Sequence, residues 1–154
     1  MKKLLYVGGS HSDIPLIQAA KDLGFYVITT GNRGDDLGHS YSDEYHKCDY
    51  SDKEAVLELS KKLKVDCLCP CCNDFSIISC AYVAEKLELT NFDSFNTTKI
   101  IHHKDEFRKF CTKHNFPVPK SLSFESTDDA LAHINTFNFP IIVKPVDLTG
   151  GKGV

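Results

Sequence analysis

The chain has 154 residues, 42% of them hydrophobic, and a formal net charge of -3 at pH 7. This length suits one full domain and the beginning of a second, and the charge provides no basic field for nucleic acid or an anionic membrane. We therefore expect small molecules or protein as partners, without nucleic acid or membrane.

The first apolar run, residues 4–7, ends at two glycines and is too short for a signal peptide or a membrane span. The seven cysteines are odd in number, and four of them crowd into residues 67–72, which is not typical of a disulfide framework. Both features predict a cytoplasmic protein with reduced thiols.

The first ninety residues alternate between strand and helix patterns. Strands are predicted at 3–7, 25–30 and 65–70, and helices at 14–23, 53–63 and 75–87. Such alternation predicts an α/β fold with a parallel sheet and helices on both of its faces. We expect this Rossmann-like domain to occupy residues 1–95.

Small polar and aromatic residues between 90 and 98 interrupt the alternation and predict a connection to a second domain at 96–154. Its predicted elements are a helix at 104–114, a strand at 121–124, a helix at 128–137 and a terminal strand from Ile141 onward.

The sequence GGSH at residues 8–11 follows the first strand and precedes a helix, where backbone N–H groups and the helix dipole favour an anion. A dinucleotide fingerprint needs a third glycine and an acidic residue ending the second strand, but the second strand ends in TTGN at 29–32. Two interpretations stay open: a tight strand-to-helix turn, and a non-catalytic module that binds a nucleotide or dinucleotide.

The clustered thiols favour core packing over a metal site. Cys67, Cys69 and Cys71 alternate along one predicted strand, and this continuous spacing splays apart ligands that zinc or an iron–sulfur cluster needs to converge. The adjacent His102 and His103 point to different sides of a helix, so they are not expected to share a metal.

Asn73 and Asp74 follow the strand at 65–70, and open α/β sheets bind ligands at the carboxyl ends of their strands. The alternative role is capping of the next helix, and one residue can serve both roles.

Lys144 lies among apolar strand residues, and the glycine-rich sequence GGKG follows at 150–153. An anion would offset the cost of desolvating the ammonium, and glycines let backbone N–H groups approach phosphate oxygens. The alternative is an edge-strand lysine that prevents aggregation.

These features, taken in order, resemble the opening of an ATP-grasp domain. That family shows a lysine beginning a helix, a Pro-x-Pro segment, a strand, a helix, and a Lys-Pro strand before a glycine-rich loop. Here the short motifs are KDEFR at 104–108, PVP at 117–119, and KP at 144–145 before the loop at 150–153. Residues 1–89 resemble the domain that precedes ATP-grasp modules in ligases similar to the carbamoyl-phosphate synthase large subunit and biotin carboxylase.

The resemblance implies an ADP-forming ligase that activates a carboxylate as an acylphosphate for attack by an amine or another nucleophile, with ATP and Mg²⁺ as cofactors. It implies ATP contacts from Lys104, Lys144, Gly150, Gly151, Lys152 and Gly153. It places Ser10, His11, Asn73 and Asp74 on the side of the carboxylate and nucleophile substrates.

The family's magnesium ligands lie beyond position 154, so the resemblance implies no catalytic or metal-binding residue within the chain. We therefore expect an N-terminal fragment of a longer ligase, inactive alone. Missing strands would leave unpaired sheet edges, and a homodimer formed through such edges is one structural consequence.

Overall fold

The structure, a computed structural model, describes residues 1–90, 92–148 and 153, and the chain divides into two compact units, Met1–Thr98 and Lys99–Val154. The boundary at residue 95 stays a prediction. No helix among the described residues has both the length and the apolar character needed to cross a membrane.

The first unit is built on a parallel sheet, as the strand and helix alternation predicted. Its strands, in the described part of the chain, are β1 (Lys3–Val7), β2 (Tyr26–Gly31), β3 (Glu44–Lys47) and β4 (Cys67–Pro70). The strand order is β3-β2-β1-β4, and every pairing is parallel. Val7 is in register with Thr30 on one side and Pro70 on the other, so three strands end at one edge.

Helix α1 (Ile14–Asp22) connects β1 to β2, α2 (Lys53–Leu63) connects β3 to β4, and α3 (Asp74–Lys86) follows β4. A further helix, α4 (Phe95–His102), follows. The predicted α/β class is confirmed. Strand β3 was missed by the sequence analysis because its sequence, EYHK, is polar and only partly buried, without the apolar run of a central strand.

Alternate residues of β1 pack on opposite faces of the sheet, because successive strand side chains point in opposite directions. Leu5 and Val7 join a cluster that contains Val56 of α2 and Val83 of α3. Leu4 and Tyr6 join a second cluster that contains Ile17, Val27 and partly buried thiols. Helices therefore cover both faces of the sheet.

The second unit contains α5 (Lys104–Lys113), α6 (Thr127–Ala132) and a 3-10 turn at Ile134–Thr136. The strands predicted at 121–124 and from Ile141 onward are wrong for the described residues, which form no strand in either segment. Ile142 and Val143 are 76% and 74% exposed. A strand needs a partner for its backbone N–H and C=O groups, and the described residues of this unit supply none.

Candidate functional site

Asp13 joins two loops at the carboxyl edge of the sheet. Its side chain is buried at the start of α1, where its Oδ1 atom accepts hydrogen bonds from the Tyr6 hydroxyl at 3.0 Å and the Cys72 backbone amide at 2.9 Å. Its Oδ2 atom accepts from the Ser10 amide at 2.7 Å and the Ser10 hydroxyl at 2.8 Å. The carboxylate thus ties the β1–α1 loop to the β4–α3 loop.

The hydrogen bonds keep this buried carboxyl ionised. Burial disfavours the charged form, but the bonds from Cys72, Ser10 and Tyr6 outweigh it, so the pKa of Asp13 is lowered. Burial, together with the charge of Asp13, raises the pKa of the Tyr6 phenol. The pair is therefore a fixed anion and a neutral donor, which suits holding loops in place rather than exchanging protons.

The two glycines after β1 are explained by close packing. A Cβ atom on Gly9 would lie 2.0 Å from Cε1 of His39, and one on Gly8 would lie 2.0 Å from Cβ of Cys71. The Gly9 carbonyl accepts a hydrogen bond from the Gly38 amide at 2.8 Å. These contacts favour the tight strand-to-helix turn among the open interpretations of residues 8–11.

His39 supports this turn from a short 3-10 segment, Leu37–Tyr41. Its ring is buried, with Nε2 donating to the Arg33 carbonyl at 3.0 Å and Nδ1 3.0 Å from the Thr29 hydroxyl. A carbonyl only accepts hydrogen bonds, so Nε2 must carry a proton. Asp13, Tyr6 and His39 were not predicted as site-forming residues. The Ser10 and Asp13 spacing of a capping box is a local signal for Asp13, but its bond to Cys72 joins residues 59 positions apart, which the sequence does not display.

The predicted substrate-side residues of the first loop differ in accessibility. The Ser10 amide and hydroxyl both donate to Asp13. His11 is exposed, and its Nε2 atom lies 3.4 Å from the Ser12 hydroxyl. Ser10 therefore has a structural partner already, and His11 presents its ring to solvent. Substrate contact by either residue stays a prediction.

Asn73 is the N-cap residue of α3, as the capping interpretation expected. Its Oδ1 atom accepts from the Phe75 amide at 3.0 Å, and its Nδ2 atom donates to the Tyr50 hydroxyl at 3.3 Å. Asp74 is exposed in the first turn of the same helix. Capping is observed, and a substrate role for Asn73 and Asp74 stays a prediction.

The seven cysteines are free thiols. Burial raises the pKa of Cys71 to about 11, and it raises the pKa of Cys80 well above its usual range. Within the described ranges, no group of three or more His, Cys, Asp or Glu side chains is placed to hold a metal ion. Cys80, a residue of α3, lies in the apolar cluster with Leu5 and Val7, as expected for a thiol that packs in the core.

In the second unit, Lys104 binds main-chain carbonyls. Its backbone amide donates to the Val146 carbonyl at 3.1 Å. Its ammonium donates to the carbonyls of Val146 at 3.2 Å and Leu148 at 2.5 Å. The side chain predicted to contact ATP phosphates is thus placed beside the segment that precedes the glycine-rich loop.

The other predicted ATP contacts are only partly described. Lys144 is exposed, and Gly153 has φ +72°, a backbone conformation that favours glycine. Gly150, Gly151 and Lys152 lie outside the described residues. ATP binding by these residues stays a prediction.

Comparison with known proteins gives matches along the whole chain. Residues 103–154 match the family described as the carbamoyl-phosphate synthase L chain, ATP binding domain. The carbamoyl phosphate synthase large chain of Methanobrevibacter smithii is 30% identical over 105 residues, which cover 65% of this chain and 10% of that protein. The formate-dependent phosphoribosylglycinamide formyltransferase of Rhodococcus jostii is 23% identical over 152 residues, covering 98% of this chain and 38% of that protein.

The fold is also similar to that of a solved synthetase structure. The phosphoribosylglycinamide synthetase of Anaerococcus prevotii superposes with a TM-score of 0.74 at 25% identity, covering 96% of this chain and 37% of that one. The chain spans less than two fifths of the length of each of these three proteins.

Proposed function

We propose that this chain, whose sequence and fold are those of the ATP-grasp superfamily, forms the N-terminal part of an ADP-forming ligase that joins a carboxylate to an amine or similar nucleophile. The observation that carries the proposal is the match of residues 103–154 to the ATP binding domain of a carbamoyl-phosphate synthase chain. That stretch contains Lys104, Lys144 and the glycine-rich sequence at 150–153.

The proposed reaction has two steps. A carboxylate oxygen attacks the γ-phosphorus of ATP, the bond to the β-phosphate oxygen breaks, and an acylphosphate and ADP form. The nucleophile then attacks the acyl carbon, inorganic phosphate leaves with the bonding electron pair, and the nucleophile loses a proton. Mg²⁺, when bound with ATP, neutralises charge on the transferred phosphoryl group. We propose that its ligands come from sequence other than this chain.

In this proposal the second unit contributes phosphate contacts. Lys144 is exposed and so can reach a ligand, and its ammonium would form charged hydrogen bonds to phosphate oxygens. The positive φ of Gly153 suits a loop that brings backbone N–H groups close to an anion.

The first unit would bind the substrates at the carboxyl edge of its sheet. His11 and Asp74 are exposed there and are suited to direct contact, while Ser10 and Asn73 shape the two loops through their hydrogen bonds. We further propose a cytoplasmic location, with small-molecule substrates as partners. A homodimer formed through unpaired edges stays a prediction.

The test compares the 154-residue chain with the complete product of its gene. We expect the complete product to bind Mg-ATP in calorimetry and to release ADP with at least one member of a panel of carboxylates and amines. Lys144→Met should weaken ATP affinity about ten- to a hundredfold, the worth of a lost charged hydrogen bond. Lys113→Met, at an exposed lysine in the last turn of α5, is the matched control and should leave affinity unchanged.

Two results would contradict the ligase proposal. The first is unchanged ATP affinity in Lys144→Met. The second is binding of NAD by the chain without ADP release from the complete product, which would favour a dinucleotide-binding module instead.

A further inference from the structure

Lys104 makes two long-range contacts that phosphate binding does not explain. The carbonyls of Val146 and Leu148, which its ammonium contacts, lie 42 and 44 residues further along the chain. One side chain therefore holds the first turn of α5 against the segment immediately before the glycine-rich sequence.

The backbone of the same residue reinforces this contact. The first amides of a helix have no partner within the helix, and His103, the N-cap residue of α5, makes no side-chain capping bond. The Val146 carbonyl accepts from the Lys104 amide instead, so it caps the helix while also accepting from the ammonium. This end of α5 is occupied by the chain's own carbonyl.

The ammonium can hold the segment and still bind a ligand. It has three N–H donors, and two are directed at carbonyl oxygens that can only accept. A charged donor makes these bonds stronger than neutral ones. At most one N–H remains for a phosphate oxygen, so the main chain is its principal partner.

We propose that Lys104 is a positioning residue, which fixes residues 146–148, the segment ahead of the predicted glycine-rich loop, before any nucleotide binds. That this loop binds ATP rests on the proposed function. The positioning role is independent of the proposed function, because Lys104 contacts these carbonyls in the nucleotide-free chain. A lysine that served only as a phosphate ligand would not influence this segment in the absence of ATP.

The experiment measures backbone amide exchange by NMR in the nucleotide-free 154-residue chain. In Lys104→Met, the amide of residue 104 should exchange about tenfold faster or more, the loss expected for charged hydrogen bonds. Lys104→Arg keeps donors for both carbonyls and should restore protection to within about threefold of the original chain. Lys109→Met removes an exposed lysine of the same helix that binds Asp105 and Glu106, and should leave this exchange unchanged.

The Phe107 amide, which donates to the His103 carbonyl inside the same helical turn, reports whether α5 itself still forms. If the Phe107 amide loses protection in Lys104→Met as well, amide exchange at residue 104 is compared between Lys104→Arg and the original chain instead. Failure of arginine to restore protection at residue 104 would overturn the proposal.

Calorimetry with Mg-ATP on the complete gene product separates this inference from the proposed function. Unchanged exchange in Lys104→Met together with weaker ATP affinity would make Lys104 a phosphate ligand alone and overturn the positioning role. Faster exchange in a protein that binds no ATP would support the positioning role and contradict the ligase.

Discussion

The backbone amide of Cys72 donates a 2.9 Å hydrogen bond to the buried carboxylate of Asp13, 59 residues earlier in the chain. This bond joins the loop after β4 to the loop after β1, at the edge where parallel α/β sheets bind ligands. The Asp13 carboxylate therefore links the two loops of the candidate substrate edge.

Replacing Asp13 with alanine should lower the free energy of unfolding by about 3 kcal/mol, because the buried Tyr6 hydroxyl would be left without an acceptor and the Cys72 amide would lose its bond to the carboxylate. Urea unfolding followed by circular dichroism measures the change. Asp22→Asn, at an exposed position ending α1, is the control and should change stability by less than about 0.5 kcal/mol. A loss below about 1 kcal/mol in Asp13→Ala would show that the hydrogen bonds of the Asp13 carboxylate contribute little to the stability of the fold.

The Asp13 carboxyl should also make stability depend on acid pH. Its pKa is lowered from 3.8 in the folded chain, so the unfolded chain binds more protons as the pH falls. The stability that it contributes is complete above 3.8 and is lost as the pH falls through the lowered pKa. In Asp13→Asn, the free energy of unfolding should therefore change less steeply with pH below 3.8 than in the original chain. Identical slopes in the two proteins would mean that this carboxylate does not cause the pH dependence.

Gly9→Ala should destabilise the first unit by about 1–3 kcal/mol, because its new Cβ atom would overlap the His39 ring. Gly31→Ala is the control, since a Cβ atom there would meet the same ring at an ordinary 3.6 Å. Thermal unfolding of both variants gives the comparison. Adding His39→Ala to Gly9→Ala should recover part of the loss if the ring is the obstacle, and additive losses would locate the strain elsewhere.

Asn73→Ala should cost about 1 kcal/mol through loss of the α3 cap. Asn73→Asp keeps an oxygen that can accept from the Phe75 amide but removes the donor to Tyr50, so its stability should stay close to that of the original chain. Chemical unfolding separates the two effects. An equal loss of stability in both variants would mean that Asn73 stabilises the fold through its bond to Tyr50 rather than through the cap.

Alkylation by iodoacetamide at pH 8 should label Cys72 before Cys80. The Cys72 thiol is exposed, whereas Cys80 is fully buried and its burial raises the pKa of the thiol well above the usual range. Peptide mass spectrometry over a time course measures the order. Early labelling of Cys80 in folded protein would contradict its place in the core.

Local sequence patterns determined the architecture of the first unit. The continuous apolar run of β1 and the helical periodicity of α2 and α3 are short-range signals, and the alternation of such strand and helix segments predicted the parallel sheet with helices on both faces. The polar residue Asn73 before α3 also predicted the cap. The motif order between residues 104 and 154 likewise predicted the ATP-grasp match. These features depend on neighbours within a few positions, which a sequence displays directly.

Only the tertiary structure decided which distant residues meet. Three contacts join separate segments, and nothing in the local sequence marks them. They are the hydrogen bond between Asp13 and Cys72, the packing of His39 on Gly9, and the hydrogen bond from Lys104 to the Leu148 carbonyl. The same reason explains the wrong strand predictions at 121–124 and from Ile141. Strand propensity is local, but a strand exists only when another segment satisfies its backbone hydrogen bonds, and that pairing is decided by the fold.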